Sequence, residues 1–215
     1  MPLSVIGADL AQDFYARLAG KDAAVLILGA GEGELACALA RRGHDVVAVE
    51  PSSRLLTAAI ERREADAPKA SLRLVNADPR TERLGRRFAV VLLPRNALGL
   101  AHDEDEARAL LSTVAAHLAP DGAFALDAQL EPPPPPGDAP PPPRVTPHLR
   151  ERRDGQLALH RLELFRLTAE RLDELLREVG LEARERYQDF RGTPPDHGAA
   201  LQVVVGGPSS GTPPD

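Results

Sequence analysis

The feature that most constrains this chain is a regular alternation of short apolar runs with helical segments between residues 24 and 127. Five runs have the length and the Val/Leu/Ala content of buried strands, at 24–28, 45–50, 71–75, 88–93 and 123–127. Helices are predicted between them, at 33–42, 54–64 and 103–118. Buried strands joined by single helices pair in parallel through right-handed crossovers. The alternation therefore predicts a doubly wound α/β sheet with a ligand at the carboxyl ends of its strands.

The second half of the chain departs from this pattern at a proline-rich segment. Residues 131–143 contain nine prolines in two tracts. Such tracts favour extended polyproline II structure and do not continue a sheet. We interpret the segment as a surface spacer, with a ligand for a proline-recognition domain as the alternative.

Further elements are predicted after the proline tract. A β-hairpin is expected around Asp154-Gly155, with arms at 148–153 and 156–167. A helix is expected from Thr168 to Gly180, and strands at 181–190 and 199–205. Residues 207–215 are rich in Gly, Pro and Ser, which predicts a disordered tail.

A glycine loop, Gly29-Ala30-Gly31-Glu32-Gly33, follows the first predicted strand. Its glycines let the backbone approach a ligand and turn sharply into the next helix. Glu50 ends the second strand, where a carboxylate can accept hydrogen bonds from both hydroxyls of a ribose. Loop and acid together predict a nucleoside cofactor, and Glu50→Ala is expected to weaken its binding with little effect on stability. The alternative is tight turn packing beside a solvated glutamate.

The loop distinguishes between two nucleoside classes. A dinucleotide fingerprint would place its third glycine at position 34, which is Glu34 here. Glu32 also brings negative charge to the place of a pyrophosphate. The loop therefore suits a cationic sulfonium ligand better than NAD(P), although an NAD(P)-dependent enzyme remains an alternative.

Composition excludes other classes of function. The chain has 26 Lys and Arg against 32 Asp and Glu, a net charge of −6, which argues against a nucleic-acid partner. A single cysteine, Cys37, excludes an internal disulfide, and the six histidines lack metal-ligand spacing, so no metal is expected. Neither a long apolar run nor a basic signal-peptide region is present. We therefore expect a cytoplasmic protein that does not span a membrane.

The glycine loop, Glu50 and several later segments resemble those of the class I S-adenosylmethionine-dependent methyltransferases, particularly the small-molecule group around the glycine and sarcosine methyltransferases. The matching segments keep their order along the chain and are 29–33, 49–52, 76–79, 87–96, 118–122 and 187–192. The resemblance implies a Rossmann-like three-layer sandwich whose mostly parallel seven-stranded sheet has its last strand antiparallel. It also implies one domain over 1–206, in which 130–167 replace the usual substrate cap.

The same resemblance implies roles toward S-adenosylmethionine and its product S-adenosylhomocysteine. The residues that it assigns to the cofactor follow four successive strands and are Gly29, Ala30, Gly31, Glu50, Pro51, Leu55, Ala77, Asp78, Pro79 and Leu93. Among them, Glu50 would hold the ribose and Asp78 would accept a hydrogen bond from the adenine amino group. Leu93 and the following Pro94 would mark the strand end nearest the transferable methyl group.

Methyl transfer from a sulfonium depends mainly on alignment and desolvation, and sometimes on a base. Asn96 is a candidate to orient the acceptor, and His102 is a candidate base near neutral pH. Tyr187 and Asp189 are further candidates on the substrate side. The alternatives are a solvated loop for His102 and strand packing for Tyr187. We expect a small-molecule acceptor.

Two positions depart from the family pattern. Ile27 stands where an acid usually precedes the glycine loop, and Ala89 stands where an aspartate is usual. We expect the amino group of the cofactor to pair elsewhere, for example with Glu32, and we expect Ile27→Asp to strengthen binding. The departures keep a second reading open, that of a non-catalytic binder of S-adenosylmethionine.

Overall fold

The computed structural model describes residues 4–131, 148–153, 156–161, 164–196 and 199–209. The proline tracts at 132–143, the Asp154-Gly155 turn and residues 210–215 lie outside these ranges. The helices of the described part are α1 (Ser4–Ala19), α2 (Glu34–Arg41), α3 (Ser53–Asp66), α4 (Glu104–His117) and α5 (Ala169–Glu178), with a 3-10 helix at Ala97–Leu100. Its strands are β1 (Ala24–Leu28), β2 (Asp45–Val49), β3 (Leu72–Val75), β4 (Phe88–Leu93), β5 (Leu118–Gln129), β6 (His148–Arg153), β7 (Gln156–Arg161), β8 (Leu181–Tyr187) and β9 (Leu201–Pro208).

The described strands form a seven-stranded sheet in the order β3-β2-β1-β4-β5-β9-β8, and β6 pairs with β7 in a separate hairpin. Strands β1 to β5 run parallel, and β9 is antiparallel to both β5 and β8. The predicted mostly parallel sheet with an antiparallel last strand is thus confirmed. The chain moves outward from β1 through β2 to β3 and then returns to β4, so the topological switch point lies between β1 and β4.

Both faces of the sheet are covered, which explains the continuous apolar runs of its central strands. On β1, Val25 and Ile27 join an apolar cluster that includes Tyr15 of α1 and Leu39 of α2. Leu26 on the same strand faces the other cluster, which contains residues of α4 and α5. The alternation confirms the three-layer arrangement.

The structure departs from the sequence-based expectations in several places. The predicted strands at 156–167 and 181–190 are shorter, because β7 ends at Arg161 and β8 ends at Tyr187. Helix α1 was not predicted. The predicted strand at 123–127 begins earlier, at Leu118, and residues 119–122 of β5 oppose the single residue Ala89 between two paired positions of β4. This bulge accommodates a proline because its backbone is not needed in the ladder. Strand β9 also extends to Pro208, two residues into the predicted tail.

No helix in the described ranges is both long enough and apolar enough to span a bilayer.

Candidate functional site

The loops that follow β1 and β4 meet at the switch point. A Cβ added to Gly29 would lie 3.6 Å from Cβ of Ala97, and one added to Gly31 would lie 2.6 Å from Nη1 of Arg95. Both glycines have positive φ, +88° and +57°, which disfavours other residues. We call the space between residues 29–33 and 94–97 the switch-point crevice, because ligands of open α/β sheets bind at this place.

Glu50 holds the glycine loop through a hydrogen bond to its backbone. Its side chain is buried, with 5% exposure, although it is charged. Oε2 accepts a hydrogen bond from the Gly31 N–H at 2.8 Å, and Oε1 accepts one from the Ser52 N–H at 2.9 Å. Each oxygen keeps a second lone pair for a hydroxyl donor. These contacts revise the expectation that Glu50→Ala leaves stability nearly unchanged, because two backbone donors would lose their acceptor.

Asp78 follows β3 and is held by Arg80. The carboxylate accepts the Arg80 backbone N–H at 2.9 Å, and the guanidinium contacts both of its oxygens, with Nη2 at 2.8 Å from Oδ2. The hydrogen bond from Arg80 is the main cause that lowers the pKa of Asp78. The side chain remains 37% exposed, so an ionised carboxylate lies at this end of the site, with both of its oxygens bound by Arg80.

The other residues assigned to the cofactor differ in their accessibility. Ala30 and Leu93 are buried in the apolar clusters, so only their backbone can border a ligand. Pro51 is exposed, and Leu55, Ala77 and Pro79 are half-buried.

Ile27 lies within the apolar core of the sheet. It is 1% exposed and belongs to the apolar cluster on the side of α1 and α2. It is paired across the sheet with Ala48 of β2 and Leu92 of β4. These surroundings argue against the expectation that Ile27→Asp improves binding, because the new carboxylate would enter an apolar cluster.

The chain leaves β4 through a strained turn. Arg95 and Asn96 both have positive φ, +62° and +54°. Their N–H groups donate to Asp127 of β5, at 2.8 Å to Oδ1 and 2.9 Å to Oδ2. One buried carboxylate therefore holds two consecutive residues in a conformation that non-glycine residues rarely adopt.

Asp127 also binds helix α1. The Tyr15 hydroxyl donates to Oδ1 of Asp127 at 2.6 Å, and both residues are almost fully buried. Burial raises the pKa of Asp127, against the opposing effect of its three hydrogen-bond donors. Burial and the neighbouring carboxylate raise the pKa of Tyr15 well above its usual value. Sequence reasoning missed both residues, although an acid near the carboxyl end of β5 was a signal.

The four residues predicted on the substrate side have other partners. Asn96 Oδ1 accepts from the Gln129 N–H at 2.9 Å, which braces the turn against β5. The His102 side chain is 84% exposed and contacts Glu106 at 2.8 Å. Tyr187 bonds to Glu185 and packs edge-on against Phe14. Asp189 accepts from Thr193 within its own turn. Their catalytic or substrate-binding roles remain predictions.

Within the described part of the chain, no group of three or more His, Cys, Asp and Glu side chains could hold a metal ion.

Comparison with known proteins finds similarity to methyltransferases. Residues 25–122 match the family described as a methyltransferase domain. Cypemycin N-terminal methyltransferase from a Streptomyces species is 39% identical over 103 residues, which make up 48% of this chain and 40% of that protein. The match therefore spans less than half the length of this curated relative.

Two solved structures share the fold over nearly the whole chain. The CcbJ methyltransferase from Streptomyces caelestis is 23% identical with a TM-score of 0.79, over 94% of this chain and 90% of that one. The glycopeptide N-methyltransferase MtfA, complexed with S-adenosylmethionine, is 21% identical with a TM-score of 0.68, over 97% and 88%. At these identities, the likeness establishes the fold.

Proposed function

We propose that this chain, whose residues 25–122 match a methyltransferase domain, transfers a methyl group from S-adenosylmethionine to a small-molecule or peptide acceptor. The observation that carries the proposal is the buried Glu50 carboxylate, which holds the glycine loop and retains lone pairs for a ribose. The negative charge of Glu32 in the glycine loop favours a nucleoside linked to a cationic sulfonium over one linked to a pyrophosphate.

The order of the strands supports the position of such a cofactor. Asp78, Glu50, Gly31 and Arg95 follow β3, β2, β1 and β4, which are successive neighbours in the sheet. Neighbouring strands lie about 4.8 Å apart, so this line is roughly 14 Å long. In the proposal, Asp78 accepts from the adenine amino group, Glu50 accepts from the ribose hydroxyls, and the sulfonium end lies over the glycine loop toward β4.

Bound S-adenosylmethionine supplies an electrophilic methyl group on a sulfonium that already leaves readily. The contribution of the chain is then alignment and exclusion of water rather than covalent catalysis. The turn at Arg95 and Asn96, held by Asp127, fixes the edge of the crevice near the reacting end. In the proposal Asn96 borders the acceptor, while His102 is too exposed to act as a base without movement of its loop.

The names of the relatives favour an amine nitrogen as the acceptor atom. One is an N-terminal methyltransferase of cypemycin, and another is a glycopeptide N-methyltransferase. An amine attacks without prior activation once it is neutral. The N–C bond then forms as the C–S bond breaks, the electron pair stays on sulfur, and the excess proton of the product leaves to solvent.

Calorimetric titration with S-adenosylhomocysteine and with NAD⁺ tests the cofactor. We expect binding of the first and no binding of the second, and the opposite result would favour the NAD(P)-dependent alternative. Incubation with methyl-labelled S-adenosylmethionine and a panel of amines and peptides then tests transfer. Binding without transfer to any acceptor would favour the non-catalytic alternative.

A further inference from the structure

The guanidinium of Arg95 lies against the glycine loop, and no acid in the described ranges forms a hydrogen bond or ion pair with it. A Cβ at Gly31 would lie 2.6 Å from Nη1 and 3.2 Å from Cζ of Arg95, so the cation lies directly against this glycine. Arg95 is an exposed residue, and its guanidinium forms no hydrogen bond or ion pair with any residue in the described ranges. Arg80, which also borders the line of strand ends, differs because it pairs with Asp78 and Glu106.

The backbone fixes this position. Asp127 accepts the N–H of Arg95 and holds its φ at +62°, and the side chain reaches across the switch-point crevice from that turn to Gly31. Glu50 contacts the loop, but its two oxygens bind the N–H groups of Gly31 and Ser52. Asp127 acts on this guanidinium electrostatically, but its oxygens bind the Tyr15 hydroxyl and the N–H groups of Arg95 and Asn96. The chain therefore places a guanidinium with free hydrogen-bond donors on the β4 side of the crevice.

We infer that Arg95 binds the carboxylate of the amino-acid portion of S-adenosylmethionine and S-adenosylhomocysteine. The inference rests on the proposed function. If Glu50 holds the ribose at the end of β2, the amino-acid tail extends over the β1 loop toward β4, where Arg95 lies. A planar guanidinium pairs with a carboxylate through two parallel hydrogen bonds, which a lone ammonium cannot match.

A carboxylate on the acceptor has the same chemistry and could reach the same guanidinium. A titration that contains only the protein and S-adenosylhomocysteine excludes the carboxylate of an acceptor, because no acceptor is present. The relevant ligand pair is S-adenosylhomocysteine and its decarboxylated analogue, which keeps adenine, ribose, sulfur and the ammonium group. Any difference between the two ligands reports on the carboxylate alone.

The experiment compares wild type, Arg95→Gln and the control Arg73→Gln by calorimetry with both ligands. Arg73 is an exposed arginine in the middle of β3, and its replacement removes the same charge outside the crevice. We expect Arg95→Gln to bind S-adenosylhomocysteine about tenfold more weakly, the scale of a charge-assisted pair. Its affinity for the decarboxylated analogue should stay within about twofold, and Arg73→Gln should match wild type for both ligands. Arg95→Lys keeps the positive charge but lacks the planar guanidinium that forms two parallel hydrogen bonds. Its loss of affinity for S-adenosylhomocysteine should lie between those of wild type and Arg95→Gln.

Two results would overturn this assignment and leave the proposed function intact. One is an unchanged affinity of Arg95→Gln and Arg95→Lys for S-adenosylhomocysteine. The other is an equal loss for both ligands, which would make the role of Arg95 structural. A wild-type protein that binds neither ligand would overturn the proposed function together with the assignment.

Discussion

Replacing Glu50 with glutamine separates the two roles of this side chain, support of the glycine loop and binding of a ribose. Glutamine keeps one acceptor oxygen but turns an amide N–H₂ toward either the Gly31 or the Ser52 N–H, which now lie 2.8 Å and 2.9 Å from carboxylate oxygens. A buried donor without an acceptor costs about 1–3 kcal/mol. In a protein of this size, each kcal/mol lowers the melting temperature by roughly 2–4 °C. Scanning calorimetry should therefore show a decrease of about 2–12 °C.

The same variant should lose affinity for S-adenosylhomocysteine. Hydrogen bonds to a charged acceptor contribute about 1.5–3 kcal/mol, which is roughly a 10- to 150-fold increase in dissociation constant. The loss should be smaller for the 2′,3′-dideoxy analogue, which has no ribose hydroxyls to donate. Glu64→Gln, at an exposed position of α3, is the matched control. If Glu50→Gln has the melting temperature and the dissociation constant of this control, both roles of Glu50 are refuted.

Three further substitutions test other parts of the structure. Gly33→Ala should lower the free energy of unfolding by about 1–3 kcal/mol, because its φ is +78° and its Cβ would lie 2.9 Å from that of Ala59; an unchanged urea midpoint would contradict this contact. Ile27→Asp should lower the free energy of unfolding by about 3 kcal/mol or more in a urea titration. A stable variant that binds S-adenosylhomocysteine more tightly would instead support the expectation that an acid at position 27 strengthens binding. Burial raises the pKa of Asp127 above its unfolded value of about 3.9, so the folded state binds that proton more tightly. The stability contributed by protonated Asp127 is thus present at low pH and is lost as pH rises through the folded pKa. Wild type measured against Asp127→Asn should accordingly have its greatest relative stability below about pH 4 and lose it as the pH rises above that value, and a pH-independent difference would argue against the buried carboxylate.

The central strands were predictable because their own residues are apolar, as expected of strands that are buried on both faces. Strands β1 and β4 are apolar at nearly every position, since both faces of the sheet are covered, and their bounds match the prediction at both ends. Helix α2 likewise lies between a glycine with φ of +78° and a glycine with φ of +96°, at positions 33 and 43. Local sequence was sufficient for these elements.

The structure of the site depended on contacts that local sequence does not contain. The hydrogen bonds of Asp127 join it to Arg95 and Tyr15, which are 32 and 112 residues away. Only the folded topology brings these groups to one sheet edge. Glu50 illustrates the same limit, because its type and position predicted a ribose acceptor, whereas its hydrogen bond to Gly31 follows from the adjacency of β1 and β2.

The shared acceptor on β5 has a dynamic consequence for the turn after β4. The backbone N–H groups of Arg95 and Asn96 both donate to Asp127. In the described part of the chain, Asp127 is also the only residue to which the Tyr15 hydroxyl donates. Release of that phenol by an outward movement of α1 would admit water to the carboxylate and weaken its hold on both amides. Hydrogen exchange at these two positions should then rise and fall together with exchange in α1, although α1 is more than 70 residues earlier in the chain. The two amides would thus report, from within the switch-point crevice, how often the N-terminal helix leaves the sheet.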